Sequence, residues 1–211
     1  MNKKYFPGTV LAAALLIGCA GETPSAITEQ QAIDQVAAPF APGGITVELQ
    51  TDTDLNALNE IANSCTVLVI QAQKATTLNS VLSNPFALKS LFTAAGAQDD
   101  ILKVDRYAAM PGQISTLHID RSENTRYIAV VAGYYPFPQK QHMSLVAIPV
   151  TTVNSGWWSP DWSAHLSPLT LRMRLGSDSI TQFKGAAQIP LALSGSNTAD
   201  SGADRQENKE K

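Results

Sequence analysis

Cysteine is almost absent: the chain of 211 residues has only Cys19 and Cys65, so it cannot be a small domain stapled by several disulfides. Basic surplus is absent too. Lys and Arg total 15 against 18 Asp and Glu, a formal net charge of −3, and no basic stretch stands out. That excludes the electrostatic footprint of a nucleic-acid binder. No apolar run reaches the length needed to cross a bilayer. Catalytic signatures are missing as well: there is no Gly-x-Ser-x-Gly, no His-Glu-x-x-His and no Cys-x-x-Cys. The three histidines, His118, His142 and His165, are scattered, and although His118 and Asp120 share a strand face, nothing nearby completes a triad or metal set. The chain therefore reads as a non-enzyme without a cofactor, a hydrolase being the less favoured alternative.

What is present begins at the N-terminus. Lys3 and Lys4 precede a mostly apolar run from Val10 to Ile17, the charged-then-apolar order of a secretory leader. The run closes on Leu16-Ile17-Gly18-Cys19, which resembles a bacterial lipoprotein box. That resemblance implies a leader over residues 1–18, cleavage after Gly18, and a lipidated Cys19. Two or more acyl chains on one residue exceed the two-signal threshold for stable anchoring. Ala20 stands where an aspartate would favour retention at the inner membrane, so the outer membrane is expected, with the domain facing the periplasm. With Cys19 acylated, Cys65 has no partner. It lies in Cys65-Thr66-Val67-Leu68-Val69-Ile70, where a buried core thiol is expected rather than a nucleophile.

Residues 19–44, rich in Ala, Pro, Gln and Gly, read as a lipidated N-terminus and tether with a short helix near Thr28 to Val36. Residues 194–211 are polar and lack aromatics, so they bury too little to offset ordering entropy and are expected to be disordered. Between them, residues 45–193 carry β patterning. Ile45-Val47-Leu49 and Leu169-Leu171-Met173-Leu175 alternate with polar residues, as do Leu117 and Ile119 around His118. Cys65–Ala72, Ile128–Gly133 and Leu145–Ile148 are apolar on both faces, as central strands are. Met110-Pro111-Gly112-Gln113 is placed for a type II turn. One interruption is helical: Asn84-Pro85 opens a segment with Leu88, Leu91, Phe92 and Ala95 on one face before Gly96, and Leu78, Val81 and Leu82 suit a preceding turn of helix. The expected fold is all-β with a small helical insertion, a β-sandwich with a helix packed on it.

Three blocks in this region resemble the outer-membrane lipoprotein of the type VI secretion system, the TssJ family. They are Cys65–Ala72 leading into Asn84-Pro85-Phe86-Ala87-Leu88, the turn Met110–Gln113, and Arg126-Tyr127-Ile128-Ala129-Val130-Val131-Ala132-Gly133-Tyr134-Tyr135. The tryptophan usual after the third block is absent, and Asn154 to Pro168 has no counterpart in the family pattern. The resemblance implies a transthyretin-like sandwich hung from the outer membrane. It would bind the periplasmic C-terminal region of the inner-membrane protein TssM, and TssL indirectly, in an envelope-spanning complex. A different envelope partner or a ligand is the alternative.

Two candidate sites follow. The resemblance places the partner contact in the loop after the first strand, and the residues there suit it: Asp54, Leu55, Asn56, Leu58, Asn59, Glu60 and Ile61 combine apolar anchors at spacing three with a polar rim. The same leucines would equally suit a short amphipathic helix covering the sandwich. Trp157, Trp158 and Trp162 form the second, read as an interface anchor, a membrane-surface contact or, most simply, a cap on the sandwich end.

Overall fold

The fold is given by a computed structural model, which describes residues 26–93, 100–158 and 160–192. The leader expected over residues 1–18, the expected lipidation site Cys19, the expected helix end at Ala95 and Gly96, and the polar tail from 194 lie outside the described residues.

The chain forms α1 (Glu29–Asp34), β1 (Ala41–Thr51), β2 (Cys65–Ala72), α2 (Ala75–Ser83), α3 (Pro85–Thr93), β3 (Ile101–Ala109), β4 (Ile114–Arg121) and β5 (Tyr127–Ala132). There follow β6 (Met143–Ala147), β7 (Val150–Asn154), β8 (Trp162–Leu166), β9 (Leu169–Leu175) and β10 (Ile180–Lys184). Two four-stranded sheets, β10-β9-β1-β4 and β3-β2-β5-β6, make a sandwich, and β7-β8 is a separate hairpin. All pairings are antiparallel except β1 with β9.

Side-chain period decides the layers. In β1 and β9 the odd positions Ile45, Val47, Leu49, Leu169, Leu171, Met173 and Leu175 are buried between the sheets, while Thr46, Glu48, Gln50, Thr170, Arg172 and Arg174 between them are half-buried or exposed. β2 and β5 are buried on both faces because each face has a cover. Val67, Val69, Ile128 and Val130 face the first sheet. Leu68, Ile70, Ala129 and Val131 face α2 and α3 through Leu78, Leu82, Leu88 and Leu91. A continuous apolar run in the sequence thus marks a middle layer. Asn84 caps α3, its Oδ1 accepting from the N–H groups of Phe86 (3.0 Å) and Ala87 (3.2 Å), which satisfies two of the amides a helix start leaves without partners.

One buried polar side chain ties the two sheets. Gln71 is fully buried on β2; its Nε2 donates to the Asp120 carbonyl at 2.9 Å, and its Oε1 accepts from Ser122 N–H (2.9 Å) and the Thr125 hydroxyl (3.0 Å). With both ends of the amide paired, its burial carries no unmet hydrogen-bonding cost.

The tether expected over residues 19–44 ends sooner than its boundary suggests. From Thr28 onward the chain is structured: α1 begins with a capping box at Thr28, Ala32, Val36 and Ala38 are buried, and β1 starts at Ala41. Arg121 donates to the Pro39 carbonyl at 3.1 Å, Arg126 donates to the Val36 carbonyl, and Asn124 N–H donates to Ala38 at 2.7 Å. Composition alone reads Ala- and Pro-rich chain as linker. Three donors from the β4–β5 corner are what fix it here.

Candidate partner-binding end of the sandwich

Strand direction sorts the loops into two ends. The β1–β2, β3–β4, β5–β6 and β9–β10 connections follow Thr51, Ala109, Ala132 and Leu175, and pairing register puts these strand ends side by side. At this end, Thr51 N–H donates to Gln113 O (2.9 Å) and Gly112 N–H to Asp52 O (3.0 Å). Asn56 N–H donates to Gly176 O (3.3 Å) and Ala57 N–H to Ser177 O (2.9 Å). Gly112, at φ +69°, takes the left-handed position its turn requires. The expected turn is thus present and is bonded to the base of the β1–β2 loop.

The β1–β2 loop is not a helix. Leu55 is fully buried in the sandwich core, and Asn56 is 8% exposed. The Asn56 side chain is a brace: its Nδ2 donates to Ser64 O at 3.0 Å and its Oδ1 accepts from Tyr135 N–H at 2.9 Å. Leu55 and Asn56, two of the expected contact residues, are therefore structural pillars and present no surface to a partner. Beyond them Leu58 and Ile61 exchange both backbone hydrogen bonds, at 2.9 and 3.1 Å, and Asn59 and Glu60 between them have φ of 51° and 65°. Positive φ at both central residues is the type I′ arrangement of a two-residue hairpin. The tight tip leaves Leu58 45% and Ile61 68% exposed, with Asp54, Asn59 and Glu60 also exposed around them.

Three further apolar side chains share this end and were not singled out from sequence: Met110, 53% exposed, Ile114, 80% exposed, and Tyr135, 66% exposed. Met110 opens the recognised turn, Ile114 begins β4 and Tyr135 closes the third block, so each lies at a strand end where the core no longer covers it. The rim is acidic, with Asp54, Glu60 and Asp178 exposed; Asp52 is paired with Arg174 at 2.6 Å. Behind the loops lies a buried support. Tyr134 donates its hydroxyl to the carbonyls of Ser179 (2.8 Å) and Gly176 (3.0 Å), and its ring stands 4.5 Å from that of His142. Burial holds the Tyr134 phenol well above its ordinary pKa. His142 Nδ1 accepts from Gln139 N–H at 2.8 Å, so Nε2 carries the proton toward the Asp178 carbonyl at 2.6 Å. Burial pushes its pKa down, with that carbonyl and the Asp178 charge acting the other way.

The remaining candidates are dispersed. His118 is exposed on β4 and His165 on β8, in different sheets, and buried His142 lies in the short helical turn Lys140–His142 before β6. Among the described residues, no group of three His, Cys, Asp or Glu side chains is placed to hold a metal ion. Cys65 is buried, as expected, and desolvation pushes its thiol up to about 11, far from a reactive thiolate. The tryptophans do not cap the sandwich. Trp157 and Trp158 are 89% and 94% exposed, and Trp162 lies in β8 rather than in a loop. The hairpin that carries Trp157 and Trp158 outward is set by the pairing of β7 with β8, which adjacent residues do not encode.

These features define a loop-presenting β-sandwich whose second sheet carries a helical layer. The model of the type VI secretion lipoproteins VasD, EvfM and TssJ matches residues 44–177, and the chain belongs to that family. No curated protein matches by sequence. Among solved structures, the chain is similar to Serratia marcescens Lip, described as a membrane bound component of the type VI secretion system, at 16% identity and TM-score 0.47, covering 69% of this chain and 96% of that one. It is similar also to the lipoprotein TssJ1 of Pseudomonas aeruginosa at 18% identity and TM-score 0.45, covering 72% and 98%. A third is a structure described as the TssM C-terminal domain from EAEC, at 13% identity and TM-score 0.45, covering 69% and 97%. Among the described residues no helix is long and apolar enough to cross a membrane.

Proposed function

We propose that this chain is the outer-membrane lipoprotein of a type VI secretion membrane complex. Acylated Cys19 holds it to the outer membrane, and the loop end of its sandwich grips the periplasmic C-terminal region of TssM. TssL joins the assembly through TssM, and the role needs no catalysis and no cofactor. The observation that carries this reading is the polarity of the domain. β1 leaves the N-terminal segment at Ala41 and reaches the loop cluster at Thr51, so chain entry and docking loops lie at opposite ends of an eleven-residue strand. At roughly 3.3 Å per residue, that strand separates them by about 35 Å. A protein anchored at one end and sticky at the other is built to link a membrane to something beyond it.

The chemistry of the loop end narrows the partner's face. Leu58, Ile61, Met110 and Tyr135 ask for apolar pockets, and the exposed carboxylates of Asp54 and Glu60 ask for basic groups at the rim. The test is capture of the purified TssM periplasmic region by the full-length lipoprotein. Binding that is lost on Leu58→Asp with Ile61→Asp supports the reading. Absence of binding by the unaltered protein overturns it. Cys19→Ser is expected to move the protein out of the membrane fraction, read by fractionation.

A further inference from the structure

The β7–β8 hairpin has no part in that role. Its five residue pairs, Val150 with Leu166 through Asn154 with Trp162, carry the chain outward to a tip at which adjacent Trp157 and Trp158 are almost wholly exposed. An indole offers on the order of 200 Å² of surface and has one polar N–H, so its preferred place is a boundary where the ring leaves water and the N–H stays hydrated. We propose that this tip is a second membrane contact, seating Trp157 and Trp158 among the headgroups of the bilayer that holds Cys19. The inference rests on the lipid anchor of the previous section.

Three observations select a membrane surface as the occupant. The first is reach. Ile27 accepts a hydrogen bond from Trp162 N–H at 3.3 Å, and Cys19 lies eight residues before Ile27. Eight extended residues span at most about 28 Å, and the tip lies four to five residues from Trp162, at most about 15 Å of chain. The indoles are thus within range of the plane in which the acyl chains end. The second is rigidity. Thr152 donates its hydroxyl to Glu29 of α1 at 2.8 Å, and α1 packs on both β7 and β8, so the tip keeps a fixed relation to the point where the anchored segment enters the fold. The third is charge. There is no lysine or arginine from Gln141 to Leu171, while Ile27 and Val153, 41% and 47% exposed, extend the apolar surface. Attraction to anionic headgroups is therefore not the driving force; ring burial is, and a zwitterionic bilayer suffices.

A lone acyl tether is a swivel. A second contact fixed to the same end of the fold removes the swivel and turns the docking loops away from the membrane. The experiment uses the full-length acylated protein reconstituted into phosphatidylethanolamine–phosphatidylcholine vesicles, with and without brominated phosphatidylcholine. Flotation reports the anchor, and tryptophan emission reports the tip. Since Trp157 and Trp158 are two of the three tryptophans, bromolipid is expected to quench most of the emission, and high salt to leave the quenching unchanged. The Trp157→Ser, Trp158→Ser variant floats as well, and its remaining Trp162 emission is several-fold less quenched. Flotation with emission unquenched by bromolipid but open to aqueous acrylamide overturns the inference. Emission shielded from both reports self-association and also overturns it. A chain that fails to float overturns the anchor itself, and this inference with it.

Discussion

Replacing Leu58 and Ile61 by aspartate separates docking from folding, because the structure puts them on the outside of a loop whose neighbouring leucine is on the inside. Leu58 is 45% and Ile61 68% exposed, whereas Leu55 is fully buried. Covering what remains of the first two in a complex is worth about 2–3 kcal/mol together, taking ~1.5–3 kcal/mol for each complete side-chain burial. At ~1.4 kcal/mol per decade, that is a loss of about 30- to 100-fold in affinity for the TssM periplasmic region, with carboxylate desolvation adding to it. Stability should hold within ~0.5 kcal/mol, since neither side chain is in the core. Leu55→Ala should do the reverse. It empties core volume at a cost of about 2–5 kcal/mol, lowering Tm by roughly 5–15 °C. Titration calorimetry and thermal unfolding on both variants read the two axes. Unchanged affinity in the well-folded aspartate pair would refute the tip as the contact, and an unchanged Tm in Leu55→Ala would refute the assignment of its role.

Glu60 occupies a left-handed position at φ 65° that glycine adopts without strain, so Glu60→Gly should stabilise the hairpin by about 0.5–1 kcal/mol, read as a raised denaturation midpoint. If the midpoint does not rise, the tip is not a strained type I′ turn. His142 is buried and its pKa is lowered mainly by desolvation. Below the unfolded value of about 6.5 the unfolded chain therefore takes up the proton more readily than the folded one, and stability falls as pH drops through that window. Tm should decline from about pH 7 to about pH 5.5, with a shallower slope in His142→Asn; equal slopes would refute the assignment. Gly185 has φ +116°, and a Cβ there would lie 1.9 Å from the Thr170 carbonyl oxygen, so Gly185→Ala should lift the edge strand β10 from β9. Hydrogen exchange over Ile180–Lys184 should then accelerate while β2 and β5 keep their protection.

Local pattern carried far in this chain because its strands have cleanly different environments. Ile45-Val47-Leu49 and Leu169–Leu175 alternate since one face meets the core and the other meets water, and β2 and β5 run apolar since each has two covers. Asn84-Pro85 announced a helix through chemistry contained within a few residues. The resemblance to a lipoprotein box and the lack of short catalytic motifs are likewise readable without a fold, because each is a matter of adjacent residues.

Tertiary structure decided what adjacency does not encode. Spacing three in Leu55, Leu58 and Ile61 suggested one face of a helix, but two positive φ values turned the chain at Asn59-Glu60, sending Leu55 inward and the other two outward. Met110 and Tyr135 joined them only because strand register lines up the ends of β1, β3 and β5. A cap on the sandwich end was the simplest expectation for Trp157 and Trp158, and the β7–β8 pairing carried them out instead. The residues from Ile27 to Phe40 looked like linker until the guanidinium groups of Arg121 and Arg126, more than eighty residues away, supplied donors for their carbonyls. Sequence by itself determines which residues prefer to leave water and in what local period. Which surfaces remain for them to meet is a property of distant segments brought together, and that is where the exposed loop tip at Leu58 and Ile61 and the exposed indoles were settled.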